Sequence, residues 1–526
     1  MICLLLQGIG LLERGIKKIK RNITESKEMS KQYEAYQSRM RKIADINGAI
    51  AVMSWDKEVN LPKKGAAARS QQIATLSGMS HELFTDKAFG KELEALLQLK
   101  EELTPEQYHN VELTLKDYQK STKLPTDFVV QHSQAVSEAY HAWMKAREGN
   151  DFGIYKAALS KIVDFSRKQA ELLGYDEHPY DALLNLYEPN ATTAALTVLF
   201  KDVREQLVDF VKTIKAKPQV DNAFVSKFYP KDKQWDFGIK LLKNMGYDFE
   251  AGRQDVSAHP FTINFASTDV RVTTRIDEHD LSNMTWSCIH EGGHALYEQG
   301  LSWSNYGLPL GEACSLGIHE SQARLWENNV GRSKAYWQAH YADLQQVFPN
   351  ELGSISLEDF YKGINQIAPN AIRTEADELH YHFHVLIRFE IEKALMEGTI
   401  EVDNLDTIWN EKYAEYMGID IQHDNEGILQ DIHWSHGSIG YFPTYSLGSF
   451  YAAQFFAKAK QDIPTLEEEM AAGNNDNLLQ WLRQNIHQHG RYYTPDELCE
   501  KITGEKLNFG YFMAYAKNKF GAIYDI

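Results

Sequence analysis

The sequence predicts a mainly α-helical protein with one small sheet beside its candidate catalytic helix. Three observations predict it. Apolar residues recur at spacings of three and four through most of the chain. Prolines fall between those stretches, as helix breakers should. Only residues 261–275, FTINFASTDVRVTTR, are dense in Thr, Val, Phe and Ile with partial alternation, the pattern of short strands.

Taken in order, helical periodicity runs through 31–59, 65–100, 105–120, 126–148, 152–174 and 192–216, punctuated by Pro125, Pro179, Pro189, Pro218 and Pro230. The segment 261–275 then reads as one or two strands. An exposed edge there could hold an extended peptide through main-chain hydrogen bonds, and a plain structural hairpin fits as well. Residues 286–299, WSCIHEGGHALYEQ, return to helix. A loop at 301–311 leads to a further apparent helix, GEACSLGIHESQARLWENN. There is no internal repeat and no low-complexity linker. At 526 residues the chain calls for two domains or one large two-lobed unit.

Composition narrows the function. Hydrophobic residues make up 43% and charged residues 24%, ordinary for a globular protein with a large core. A net charge of −18, without a basic stripe, speaks against nucleic-acid binding. The four cysteines, Cys3, Cys288, Cys314 and Cys499, are widely spaced and form no CxxC pair, which suits a reducing compartment and argues against both a disulfide framework and a thiolate zinc site. The opening MICLLLQGIGLL is too short to span a bilayer, which takes about 20 residues. Its basic run follows the apolar stretch, the reverse of a secretory signal. We therefore expect residues 1–28 to be an extension outside the fold, with an amphipathic membrane-surface anchor as the weaker alternative. A single domain at 29–526 in a cytoplasmic protein with no membrane partner completes the expectation.

The chemistry concentrates in HEGGH. On a helix, His290 and His294 stand one turn apart on one face and can converge on one ion. Glu291 projects beside them and reaches a water rather than the metal, which is the division of labour in HExxH peptidases. Gly292 and Gly293 each cost a helix interior about 1 kcal/mol relative to alanine, so something must pass close to the backbone there. A catalytic zinc takes three protein ligands and one open position. In metzincins the third is a histidine, but Tyr297 and Gly300 occupy the glycine and histidine positions of that motif. Glu298 lies about 12 Å along the helix from His290, too far to share an ion. Glu312 and Glu320 remain, and spacing alone favours Glu320 only slightly.

With these motifs in view, the sequence resembles the carboxypeptidase Taq family of metallocarboxypeptidases from Met29 to the end. HPF (259–261), DVRVT (269–273), HEGGH (290–294), HESQ (319–322), IRTEAD (372–377) and GILQDIHW (427–434) follow in order. The resemblance implies that Glu320 is the third ligand of one zinc ion. It also implies a helical, neurolysin-like fold with a long deep groove, a homodimer, and release of single C-terminal residues with broad specificity. Cobalt or manganese could replace zinc in such a site.

Further roles follow as expectations. Glu291 takes the proton of the attacking water and passes it to the leaving amine. By analogy with distantly related peptidases, Tyr441 and His433 would stabilise the oxyanion, with Tyr445 competing for the tyrosine's part. Arginine best reads a terminal carboxylate, and Arg373 leads, with Arg271 second. His259 and Gln430 are expected to line the substrate site, while the individual roles of Asp269 and Asp431 are open. His380, His382 and His384 read as a packed or solvated helix face. The rival functions are a neurolysin-like oligopeptidase or dipeptidyl carboxypeptidase, and a non-catalytic zinc-containing peptide-binding scaffold.

Overall fold

The computed structural model describes residues 2–526, with side chains described from Lys31 onward. The expected extension, 1–28, lies outside the residues whose side chains are described. The chain forms two compact units, one of residues up to Thr122 together with Ser302–Glu312, the other of Lys123–Leu301 and Ala313–Ile526.

The first unit holds α1 (Ile2–Val59), α2 (Ala66–Phe84), α3 (Lys87–Leu97) and α4 (Pro105–Thr122). The run read at 65–100 divides at Asp86, whose carboxylate accepts the N–H of Ala88 at 2.9 Å and caps α3. Its core joins Tyr33, Tyr36 and Met40 of α1 to Phe89 and Leu93 of α3 and Val111 of α4. The Tyr36 hydroxyl meets Thr114 Oγ1 at 2.8 Å, so the buried phenol has a partner.

The second unit begins with α5 (Thr126–Gly149), α6 (Gly153–Leu173), α7 (Pro179–Tyr187), α8 (Thr193–Lys215) and α9 (Lys231–Met245). The prolines behave as read. Pro179 opens α7, Pro125 and Pro230 immediately precede α5 and α9, and Pro189 and Pro218 lie in loops. The strand region forms β2 (Thr262–Ala266) and β3 (Asp269–Thr274) as an antiparallel pair, with Thr262 opposite Val272. A third strand, β1 (Gln254–Val256), runs parallel to β3, so β3 is central and β2 is an edge. Three residues are too few to show alternation, so this strand left no signal in the sequence.

Then follow α10 (Leu281–Gly300), α11 (Leu316–Arg324), α12 (Lys334–Val347), α13 (Pro349–Leu352), α14 (Leu357–Gly363), α15 (Tyr381–Glu397), α16 (Leu405–Met417) and α17 (Pro443–Asp462), with further helices to Tyr524. The expected helix across HESQ starts later than read, because Ser315 accepts the N–H of Ile318 at 3.0 Å and caps α11. It also changes pitch. Leu325–Val330 is a fully buried π-helical turn, a departure that often marks a functional site. Among the described residues, no helix is long and apolar enough to cross a membrane.

Candidate metal centre and active site

Four helices, α9, α10, α11 and α17, pack closely here through glycines. A Cβ on Gly293 of α10 would lie 2.7 Å from the backbone of Gln322 and Ala323 in α11, which explains the second glycine of HEGGH. A Cβ on Gly292 would strike Leu242 and Met245 of α9, at 2.8 and 2.9 Å. From the other side, a Cβ on Gly448 of α17 would lie 2.6 Å from the Cβ of Glu320. Close approach on both faces of α11 therefore sets the position of Glu320.

His290, His294 and Glu320 offer ligand atoms that all lie within 4.8 Å of one another. Glu320 Oε2 is 3.7 Å from His290 Nε2 and 3.4 Å from His294 Nε2. These gaps exceed a charge-assisted hydrogen bond of about 2.8 Å. They lie nearer the separation of about 3.3 Å expected for two atoms each about 2 Å from one tetrahedral ion. The other ring nitrogens are taken, since His290 Nδ1 meets Glu327 Oε2 at 2.9 Å and His294 Nδ1 meets the His319 carbonyl at 3.1 Å. Donation from Nδ1 fixes the tautomer that turns the Nε2 lone pair inward. The donor set thus fits one divalent ion.

Electrostatics agree at His294 and Glu320; at His290 burial, which lowers the imidazole, is outweighed by the charges of Glu320 and Glu327, which raise it. Burial, then His319, pushes the His294 imidazole down to about 3, so it is neutral and able to ligate. Burial opposes ionisation of Glu320, but Arg324 and the two histidines outweigh it and hold the carboxyl far below its usual range. Arg324 Nε donates to Glu320 Oε1 at 2.6 Å and its Nη1 to Glu327 Oε2 at 3.1 Å. Burial raises the Glu291 carboxyl, a shift that would suit a candidate general base. Thr262 of β2 donates to Glu291 Oε2 at 2.6 Å, binding the small sheet to the base.

The other carboxylates and histidines weighed as ligands lie in other settings. Glu298 accepts His319 Nε2 at 2.8 Å and Asn264 Nδ2 at 2.6 Å, and Glu312 is exposed in the first unit. His380, His382 and His384 are buried and disperse to Asp377, Ser446 and the Tyr413 hydroxyl. They are packed rather than solvated.

A second cluster surrounds Asp431, which joins two buried arginines. Arg373 Nη2 donates to Asp431 Oδ1 at 2.8 Å, and Arg388 Nε to Oδ2 at 2.7 Å. Two guanidinium groups against one carboxylate leave this trio with an excess positive charge. Burial, and after it that field, holds the neighbouring His259 below its ordinary value. His433, 3.9 Å from Asp431, is pushed down to about 3, mainly by burial. Gln430 is occupied throughout, accepting the Arg373 N–H at 2.8 Å and donating to the carbonyls of Ala371 and Glu426. It joins two motifs, and its amide oxygen and nitrogen are spent on the backbone. Arg271 is bound through two nitrogens to Asp269 on its own strand, at 2.9 and 2.8 Å, and lies over Phe265.

Tyr441 and Tyr445 lie together, with ring centroids 5.3 Å apart, and His433 Nε2 meets the Tyr445 hydroxyl at 2.9 Å. Burial pushes Tyr441 up to about 12, and the charge of Glu320 adds to the shift of both tyrosines. The pair is therefore within electrostatic reach of the candidate metal ligand Glu320. Tyr381 spans the two clusters, its ring 4.2 Å beneath Arg324 and its hydroxyl accepting Arg373 Nη1 at 2.9 Å. Sequence reasoning passed over Thr262, Arg324, Glu327 and Tyr381. A signal existed for Arg324 alone, as the i+4 partner of Glu320 on one helix.

Comparison with known proteins gives a consistent result. Residues 35–520 match the family model described as carboxypeptidase Taq (M32) metallopeptidase. The chain is 38% identical over 488 residues to carboxypeptidase 1 of Bacillus subtilis, covering 92% of this chain and 97% of that protein. It is 38% identical over 506 residues to thermostable carboxypeptidase 1 of Thermus thermophilus, covering 93% and 99%. The crystal structure of an M32 carboxypeptidase from Deinococcus radiodurans superposes with a TM-score of 0.92 at 37% identity, covering 94% of this chain and 100% of that one.

Proposed function

The chain belongs to the carboxypeptidase Taq (M32) family and is a metallocarboxypeptidase; on that premise we propose that it releases single C-terminal residues from peptides with broad specificity, using one zinc ion and Glu291. The observation that carries this reading is the convergence of His290, His294 and Glu320, with Glu291 on the adjoining helix surface.

When bound, the ion supplies Lewis acidity, polarising the scissile carbonyl and acidifying a water. The protein's own groups do the rest. Glu291 takes the proton of the attacking water and returns it to the leaving amine. The Thr262 hydroxyl restrains one Glu291 oxygen, leaving the other to face the water. Glu327 and the His319 carbonyl orient the ligand imidazoles. Tyr441 and His433, with Tyr445 bonded to His433, stand as donors for the oxyanion.

Arg373 is the reader of the terminal carboxylate. Of its five side-chain N–H groups, three are engaged by Asp431 and Tyr381, leaving one hydrogen on each terminal nitrogen. The excess charge around Asp431 favours an incoming anion there. Arg271 and His259 are assigned to the substrate's approach, and Gln430 to holding Arg373 in place. The homodimer, the deep groove and a cytoplasmic setting belong to the same proposal. Three free, buried cysteines, Cys288, Cys314 and Cys499, agree with a reducing compartment.

Digestion of a defined peptide, with metal removed and then restored and products read by mass, tests this. A metal-dependent ladder of single C-terminal losses is expected, and internal cuts or dipeptide release would contradict it.

A further inference from the structure

We propose that Glu392 is a positioning residue of the active site, whose buried carboxylate fixes the segment 433–441 and through it the orientation of His433 and Tyr441. The proposal rests on the reading of those two residues as oxyanion donors. Glu392 lies on α15, is fully buried, and is not part of the metal or arginine clusters.

Its two oxygens have different duties. Oε1 accepts the indole N–H of Trp434 at 2.8 Å. Oε2 accepts the backbone N–H of Gly440 at 2.9 Å and the hydroxyl of Tyr180. Trp434 directly follows His433 and Gly440 directly precedes Tyr441, so one side chain grips the segment at both ends. Tyr180 lies in the first turn of α7, the helix whose last residue, Tyr187, packs against Tyr441 with ring centroids 5.2 Å apart. The segment has little freedom elsewhere. Gly440 has φ +99, and a Cβ there would lie 2.9 Å from the Leu183 backbone.

All three partners are donors in the arrangement found, and the carboxylate satisfies every one of them. Arg388, one turn back on the same helix, is engaged with Asp431, the His384 carbonyl and the Tyr413 hydroxyl, and acts on Glu392 less than its three donors do. Burial raises the carboxyl to about 7. The ionised form therefore prevails in mildly alkaline solution.

The geometry defines a specific test. In Glu392→Gln, an amide oxygen kept at the Oε2 position places the amide nitrogen against the Trp434 N–H. The flipped amide faces the Gly440 N–H instead. Either way two donors are opposed, and the segment must shift. Trp434→Phe removes the donor at Oε1, so the glutamine can sit in the first orientation without conflict. The two substitutions should therefore not act independently.

At about pH 8.5, well above the raised carboxyl, kcat and KM would be measured on metal-loaded protein with a defined peptide, together with metal content and melting temperature. Glu392→Gln should lower kcat by about tenfold, part of what losing an oxyanion donor costs, with KM and metal content little changed. Trp434→Phe should cause a smaller loss, and the double variant should match Trp434→Phe. Should Glu392→Gln fold poorly, the comparison of the double variant with Trp434→Phe carries the same test. Unchanged kcat in Glu392→Gln, or losses that multiply in the double variant, would overturn the proposal. Tyr441→Phe and His433→Gln run in parallel. If both leave kcat unchanged, the oxyanion reading falls and the proposal with it. If they lower kcat and Glu392→Gln does not, the proposal alone falls.

Discussion

His290 Nδ1 lies 2.9 Å from Glu327 Oε2, on the π-helical turn that follows the ligand helix. The ligand's orientation thus depends on a carboxylate whose charge Arg324 and Arg332 also hold, Arg332 at 3.6 Å. Glu327→Gln should weaken metal binding by about 10- to 100-fold, the usual consequence of losing such a partner. Chelator competition checks this, and unchanged affinity would mean that Glu327 only packs.

Glycine is required where α17 crosses Glu320. Gly448→Ala places a methyl about 2.6 Å from the Glu320 Cβ, inside contact distance. Overpacking of this kind costs about 1–3 kcal/mol, and here the strain falls on the proposed metal ligand Glu320. Reduced metal content together with a lower melting temperature is expected. Gly174→Ala serves as a positive-φ control with no atom near its Cβ, and it should lower stability without loss of metal.

The assignment of the terminal carboxylate to Arg373 separates it from Arg271 experimentally. The unmodified protein should cleave a free-acid peptide far faster than its C-terminal amide. Arg373→Lys should erase much of that preference, since lysine lacks the planar two-point fork. Arg271→Lys should keep it. Because Arg373 is buried against Asp431, breaking the pair costs about 3–5 kcal/mol, so the ratio of acid to amide rates is the decisive reading rather than activity alone.

A buried carboxyl also gives stability a pH dependence away from the chemistry. Glu188 accepts the Gly317 N–H at 2.9 Å at the start of α11, and burial pushes it up to about 7 from an ordinary 4.5. A raised folded-state value means that the folded form holds the proton more tightly. Its contribution is full below about pH 4.5 and is lost as pH rises through about 7. Denaturant unfolding at about pH 5 and about pH 8 should show a loss on the order of a few kcal/mol from this group. Glu188→Gln should flatten that difference.

Periodicity made the helices legible, because a buried stripe leaves its spacing in the sequence whatever its neighbours are. The same logic gave β2 and β3 and placed His290, His294 and Glu291 on one helix. Spacing favoured Glu320 over Glu312 only slightly, because what brings Glu320 beside His290 and His294 is the contact of Gly293 and Gly448 with α11, a matter of tertiary packing. The π-helical turn, β1 and the Thr262–Glu291 bond were invisible for the same reason. Arg373 could be picked out by its motif, but not its burial against Asp431, which lies far along the chain.

The central claim is that Glu291 moves the proton at a metal centre built by His290, His294 and Glu320. Its most direct test is the hydrolysis rate of a defined peptide by Glu291→Gln, with metal content measured on the same preparation. Full metal occupancy and a rate reduced by about 10²- to 10⁴-fold, the range for loss of a general base, are expected. A fully metal-loaded variant that hydrolyses the peptide at the unmodified rate would contradict it.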